Sequence, residues 1–393
     1  NISASYLQNH KNATFVLDKS ASEDLTRVKS PWRTGSSNWD KELKAKAVAW
    51  LCEKTNKSIL NLTESDYNEN NLSELLMEKS YYDLNLDFYK RIHRSITGWP
   101  GGKPDSDDKV RPERSKPAKK RVLIFSPHPD DDVISMGGTF DRLVSQGHEV
   151  HVAYQTSGNI AVSNSDVLRY LEVINSTFPD CECENDELIE ILKNSSDIIN
   201  NSRIREIAAT IREKESLAAT RFIGIPDNQV HFLKLPFYET GTIKKNIPTI
   251  VDKKIISETI TKIKPHQIYA AGDLADPHGT HKVCLDILFD SLKDLNSKTF
   301  MKDCWVWLYR GAWHEWPIHE IDMAVPMSPF QVLRKRKAIF YHQTQKDNVM
   351  FQGDDNREFW VRTEDRNRAI AKKFRNIGMS DYTAIETFKR YHF

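Results

Sequence analysis

Cysteine is scarce in this chain. The five residues Cys52, Cys181, Cys183, Cys284 and Cys304 are odd in number and scattered over 393 positions, which excludes a disulfide framework and leaves reduced thiols. Cys181-Glu-Cys183 has no further Cys or His at finger-like spacing, so a zinc finger is excluded as well. No apolar run approaches the roughly 20 residues a membrane span needs. No charged-then-apolar leader opens the sequence, and the expected location is cytoplasmic. Without such a leader, triplets such as Asn12-Ala-Thr14 and Asn61-Leu-Thr63 carry little weight as glycosylation sites. Excess charge is lacking too: 56 Lys and Arg face 55 Asp and Glu, a net charge of +1, so neither nucleic acid nor a membrane is an expected partner. Homo-oligomerisation stays open.

What is present suits a globular protein, with 39% hydrophobic and 28% charged residues and length enough for one large α/β domain and a smaller satellite. Between positions 38 and 97, Leu43, Ala47, Trp50 and Leu51, and then Leu72, Leu75 and Leu76, recur at spacings of three and four. That spacing predicts small packing helices, with Trp32, Trp39, Trp50 and Trp99 as anchors. Residues 98–120 are rich in Pro, Gly and charge and read as a linker. Their basic run, from Lys109 to Arg121, lacks interleaved aromatics and lies beside Asp105, Asp107 and Asp108, which fits a solvated segment.

The chain is organised around Arg121-Val-Leu-Ile-Phe-Ser-Pro-His-Pro-Asp-Asp-Asp-Val133. A buried-strand pattern runs into one histidine and three carboxylates, and Gly137-Gly138 lets a helix, read over 138–146, begin close by. With a strand at 148–154, this predicts a βαβ unit with its polar cluster at the strand's carboxyl end, where ligands of open α/β sheets bind. An Asn-rich insertion is expected near 180–201, then a helix from 202 to about 220. Strand character follows at 222–225 and 230–235, and helical character at 249–263. Gln267-Ile-Tyr-Ala-Ala271 predicts another strand, leading to Gly272-Asp-Leu-Ala-Asp-Pro-His-Gly-Thr-His281; residues 304–309 predict a further one. The expected fold is α/β and Rossmann-like, a mostly parallel sheet flanked by helices, preceded by a small helical N-terminal segment.

Imidazole nitrogen and carboxylate oxygen are good ligands for a zinc-like ion, and catalytic sites usually offer three protein ligands. His128 and Asp131 can supply two, and either His278 or His281 can complete the set. Packing Asp130, Asp131 and Asp132 together costs repulsion that a cation would relieve. Asp130 remains to accept a proton. Arg212 and Glu215 fit either an i,i+3 ion pair or a site role. Trp313, in the aromatic loop Gly311-Ala-Trp-His-Glu-Trp316, fits either sugar stacking or packing.

Ser126-Pro-His-Pro-Asp-Asp-Asp132 with Gly137-Gly138, Arg212-x-x-Glu215, His278-x-x-His281 and the late Tyr341-His-Gln-Thr-Gln345 resemble the PIG-L/LmbE family of zinc-dependent N-deacetylases over about residues 120–345. The resemblance implies His128, Asp131 and His281 as ligands of zinc, with iron(II) as an alternative. It implies Asp130 as general base, His278 as stabiliser of the oxyanion and acid for the leaving amine, and Arg212, Trp313 and His342 as substrate contacts. Asp132 and Glu215 would support them, although the family usually has Glu at the position of Asp132. Residues 121–393 would be the deacetylase domain. A second resemblance covers about the first 25 residues: Ser3-Ala-Ser-Tyr-Leu-Gln-Asn-His10 and the apolar stretch up to Asp18 are similar to the end of glucosamine-6-phosphate deaminases. It implies that residues 1–97 are the tail of an upstream deaminase-like domain plus packing helices, and it points to an amino-sugar substrate. The expected activity is metal-dependent removal of an N-acetyl group from an N-acetylglucosamine-type sugar, its phosphate or a conjugate. The rival is a non-catalytic amino-sugar-binding module of a deaminase fusion protein.

Overall fold

The computed structural model describes residues 3–17, 21–22, 24–178, 182–194, 201–242, 244–272, 279–311, 314–346 and 357–393. Two compact units divide the chain, residues 1–89 and 90–393. In the first, Ser3–Asn9 is a 3-10 helix and residues 13–17 take no regular structure. Helix α1 (Lys41–Thr55) starts where Asp40 accepts the Leu43 N–H at 2.7 Å, and it ends at Asn56 in the left-handed region. Its Ala47, Val48 and Leu51 are buried, and Trp50 and Trp39 both pack on Trp32. Helix α2 (Tyr81–Ser95) leads out of this unit. Trp99, expected as an anchor, is 39% exposed, because the turn at Trp99 to Gly102 directs Pro100 and not the indole into the body.

The second unit is built on one seven-stranded sheet in the order β3-β2-β1-β4-β5-β7-β6. Strands β1 (Arg121–Ser126), β2 (Glu149–Tyr154), β3 (Val230–Phe232), β4 (Gln267–Ala271) and β5 (Trp305–Tyr309) are parallel. Strands β6 (Met323–Met327) and β7 (Ala384–Tyr391) close the far edge antiparallel. Continuous apolar sequence in β1 and β4 matches their position, since central parallel strands are covered on both faces. The intervening helices are α3 (Asp131–Ser145), α4 (Asn164–Thr177), α5 (Glu182–Asn194), α6 (Ser202–Ile223), α7 (Ile250–Ile263), α8 (Thr280–Leu295), α9 (Pro329–Phe340) and α10 (Phe359–Asn376). None of the described helices is long and apolar enough to cross a membrane.

Four expectations shift. Residues 98–120 lie inside this second unit: Glu113 and Lys120 are buried, Gln267 Nε2 donates to the Pro100 carbonyl at 3.0 Å, and Arg114 pairs with Asp303 at 3.1 Å. Within the polar stretch around 180–201, Glu182–Asn194 is helical, because α4 and α5 bury Val167, Leu171, Leu188 and Leu192 against Ile204, Ala208 and Ile211 of α6. Residues 222 and 223 end α6 and are not strand, since Gly224 at φ +108 terminates the helix there. Finally, α3 starts at Asp131 and not near Gly138, as carboxylates are favoured in a first turn. The paired glycines sit mid-helix beside a kink at Met136, and a Cβ on Gly138 would lie 2.1 Å from the Met327 sulfur.

Sheet order positions the site. Strand β1 has β2 on one side and β4 on the other, so chain leaving the carboxyl ends of β1 and β4 emerges side by side where strand order reverses. Crevices of open α/β sheets form at such a switch point.

Candidate metal centre

Leaving β1, the chain makes a pinned loop. Ser126 Oγ donates to the His128 carbonyl at 2.6 Å, the Asp130 N–H donates to the same carbonyl at 2.9 Å, and Thr156 donates N–H and Oγ1–H to the Pro127 carbonyl at 3.1 and 2.7 Å. The Asp131 carboxylate folds back to accept the His128 N–H at 2.9 Å. From the other side of the switch point, α8 opens at Gly279 with φ +68, a conformation that suits glycine, and presents His281 in its first turn.

The three side chains converge. Asp131 Oδ2 lies 3.2 Å from His128 Nδ1 and 3.2 Å from His281 Nε2, and the two ring nitrogens are 3.3 Å apart. A tetrahedral ion with bonds of roughly 2.0–2.1 Å would separate its ligand atoms by about 3.3 Å, so this near-equilateral triangle fits such an ion. Asp131 and His281 are buried and His128 partly so. Burial pushes the Asp131 carboxyl up, but the His281 charge and hydrogen bonds from both imidazoles outweigh it and hold Asp131 ionised well below the usual carboxylate range. Deprotonated carboxylate and converging imidazoles are what a divalent cation requires.

Asp130 does not join the triangle. It is buried, and its Oδ2 is 3.3 Å from Arg212 Nη2. Desolvation raises its pKa although Arg212 acts against the shift. Arg212 itself is 1% exposed, with Nε and Nη1 lacking any hydrogen-bond partner. Gly158, at φ +62, lets the loop pass the arginine closely: a Cβ there would stand 2.9 Å from Pro129 and 3.2 Å from the guanidinium.

Arg212 and Glu215, the i,i+3 pair of α6, take separate partners. Glu215 accepts the Thr344 N–H and Oγ1–H, both at 2.8 Å, and so ties the segment after α9 to the site wall. That segment holds His342, buried with neither ring nitrogen partnered; burial, and then the Arg212 charge, bring its pKa down to about 3. Asp132 is fully buried behind the site, accepting from the Tyr154 hydroxyl at 3.0 Å, and burial pushes its carboxyl up to about 7. His278 and Trp313 lie outside the described residues, as do Cys181 and the Cys183 side chain, while Cys52, Cys284 and Cys304 are buried thiols.

Several site neighbours carried no sequence signal. Tyr238 packs edge-on to His128 with ring centres 6.1 Å apart, and Glu239 accepts the Ser157 N–H and Oγ–H at 2.8 and 2.9 Å. Neither stands in a motif or a periodic pattern. Tyr154 was accessible in principle, as the last residue of a strand in register with Ser126.

Residues 123–291 match the PIG-L family profile, described as GlcNAc-PI de-N-acetylase. This stretch is a PIG-L domain. A Bacteroides thetaiotaomicron protein whose name calls it glucosamine-6-phosphate deaminase-like is 50% identical over 404 residues, covering 99% of this chain. The chain spans 61% of that curated relative's length. Among solved structures, the chain is similar to the N,N′-diacetylchitobiose deacetylase of Pyrococcus horikoshii with a TM-score of 0.44 at 20% identity, covering 69% of this chain and 84% of that one. The 4-carboxy-2-hydroxymuconate hydratase of Pseudomonas putida also scores 0.44, at 15% identity over 70% of this chain and 97% of that one. Likenesses this distant carry no chemical argument.

Proposed function

We propose that the PIG-L domain hydrolyses the N-acetyl amide of an N-acetylglucosamine-type amino sugar, free, phosphorylated or conjugated, with His128, Asp131 and His281 holding zinc, or iron(II) in its place. The 3.2–3.3 Å triangle of ligand atoms is the observation that carries this reading. A divalent ion there supplies Lewis acidity, lowering the pKa of water to roughly 7 and polarising an amide carbonyl. Asp130 is the proton acceptor. It adjoins Asp131 in the chain but pairs with Arg212 in space, and its raised pKa brings it closer to the working range of a general base. Arg212 braces that carboxylate with Nη2 and keeps Nε and Nη1 for substrate oxygens. His342 is a neutral contact for the sugar, held in place through the Glu215 to Thr344 clasp. His278 remains the proposed acid for the leaving amine and Trp313 the proposed stacking platform. Water adds across the C–N bond, giving acetate and a free amine.

An amino-sugar substrate is supported by the name of the 50% identical relative, whose greater length also agrees with a deaminase-like domain fused upstream in the full polypeptide. Acetate release from N-acetylglucosamine and its 6-phosphate tests the proposal, before and after chelation and in His128→Ala. Both treatments should abolish release. Undiminished turnover by a metal-stripped sample would overturn the proposal, and tight amino-sugar binding without turnover would favour a binding module.

A further inference from the structure

The sheet is split at the end where the candidate ligands emerge. Strand β1 stays in register with β2 along its whole length, from Arg121↔Glu149 to Ser126↔Tyr154. With β4 it pairs only from Val122↔Gln267 to Ile124↔Tyr269, whereas β4 and β5 remain paired as far as Ala271↔Tyr309. Beyond Tyr269, then, β4 follows β5 and leaves β1. The metal triangle spans this split, since His128 and Asp131 follow β1 and His281 follows β4. Its 3.2–3.3 Å spacings therefore depend on how far apart the two halves of the sheet stand.

Tyr309, the last residue of β5, bridges the gap. Successive carbonyls of a strand point to opposite neighbours. The Ser126 carbonyl accepts the Gln155 N–H on the β2 side at 2.8 Å, so the Phe125 carbonyl faces the side that β4 has left. The Tyr309 hydroxyl donates to that carbonyl at 2.8 Å and also interacts with the Ser126 side chain. Ser126 in turn pins the loop, donating to the His128 carbonyl at 2.6 Å and accepting the Asp132 N–H at 3.1 Å. The phenol is 1% exposed and belongs to the core cluster that holds Val133 and Met136 of α3. It thus links the β4 and β5 half, from within the core, to the foot of the loop that carries His128 and Asp131. A second tie across the split, from Gln155 Nε2 to the Cys284 carbonyl of α8, is longer at 3.3 Å. Phenylalanine would fill the same space in the core, so what the Tyr309 hydroxyl adds is the link.

We infer that Tyr309 is a positioning residue of the metal centre: its hydroxyl sets the separation of β1 from β4, and so the distance of His128 and Asp131 from His281. This inference rests on the metal-centre reading for its consequence but not for the link itself. In competition with a chromogenic chelator, Tyr309→Phe should bind zinc about tenfold more weakly than the wild type. Raising free zinc to saturation should then return kcat close to the wild-type value. Tyr269→Phe is the control, because it too removes a fully buried hydroxyl, one that donates to the Pro100 carbonyl at 3.3 Å; its zinc affinity should match the wild type. Unchanged zinc affinity in Tyr309→Phe, an equal loss in both variants, or a kcat that stays low at saturating zinc would overturn the inference. If the wild type itself takes up no divalent ion, the metal-centre reading fails on its own, and amide hydrogen exchange decides on the link. Faster exchange in Tyr309→Phe over residues 126–133 and the first turn of α8, with Val122 to Ile124 unchanged, would still support it. Exchange unchanged throughout, or raised uniformly along β1, would dismiss it.

Discussion

Asp130 and Asp131 share a backbone and differ in every physical respect that matters. Asp131 faces two imidazoles and is held ionised, whereas Asp130 faces a single guanidinium, which does not outweigh its burial, and it is shifted the other way. The roles proposed for them, metal ligand and proton acceptor, need that separation. Asp130→Asn should accordingly leave metal content unchanged in elemental analysis while lowering kcat by about 10²–10⁴. Loss of the ion in that variant would mean that the two adjacent acids have exchanged roles. Asp132 illustrates the weight of surroundings at the same scale. Tyr154 comes to it from the neighbouring strand, so this carboxyl is fixed by a hydroxyl partner behind the site and does not contact the triangle of ligands.

Helix α3 gives the element scale its clearest case. Its first turn bears Asp131 and Asp132, and the kink at Met136 begins a second segment whose N–H groups need acceptors. Glu386 of β7 provides them, accepting from the Gly138 N–H at 3.0 Å and from the Thr139 N–H and Oγ1–H at 2.6 Å each. Lys335 of α9 neutralises the same carboxylate at 2.7 Å and also donates to Asn367 Oδ1 at 2.8 Å. All of these groups are buried. Glu386→Ala would leave the Lys335 ammonium without its carboxylate and the second half of α3 uncapped, at a cost of about 3–5 kcal/mol. A thermal melt should show a drop of roughly 10 °C. A shift below about 2 °C would show that water replaces the carboxylate and that the kink does not depend on it.

Stability against pH belongs to the molecule as a whole. His148, between α3 and β2, is buried, accepts the Lys120 N–H at Nδ1 and stands near two lysines. Burial first, then the charges of Lys120 and Lys119, bring its pKa down from 6.5 to about 4. The unfolded chain therefore takes up a proton between these values while the folded one does not. Stability from this group is complete above pH 6.5 and is lost as pH falls toward 4, up to about 3 kcal/mol. In His148→Gln, denaturant midpoints measured at pH 7, 5.5 and 4 should fall less steeply than in the wild type. Equal slopes would mean that His148 is solvated enough to titrate normally. His231 and His342, shifted in the same direction, leave a residual slope in the variant.

Local chemistry was legible in the sequence: the strand beginning at Arg121, the βαβ unit around it, the helices from 202 to about 220 and over 249–263, and the residue types at His128, Asp130 and Asp131. Periodicity and motif spacing are properties of neighbours in the chain, and they report what neighbours decide. Tertiary structure alone decided that His281, 153 positions from His128, reaches its ring nitrogen, because that contact follows from strand order at the β1 and β4 switch point. It also turned the charged stretch before β1 into part of the body, separated Arg212 from Glu215, and added the antiparallel edge of β6 and β7, whose Glu386 supports α3.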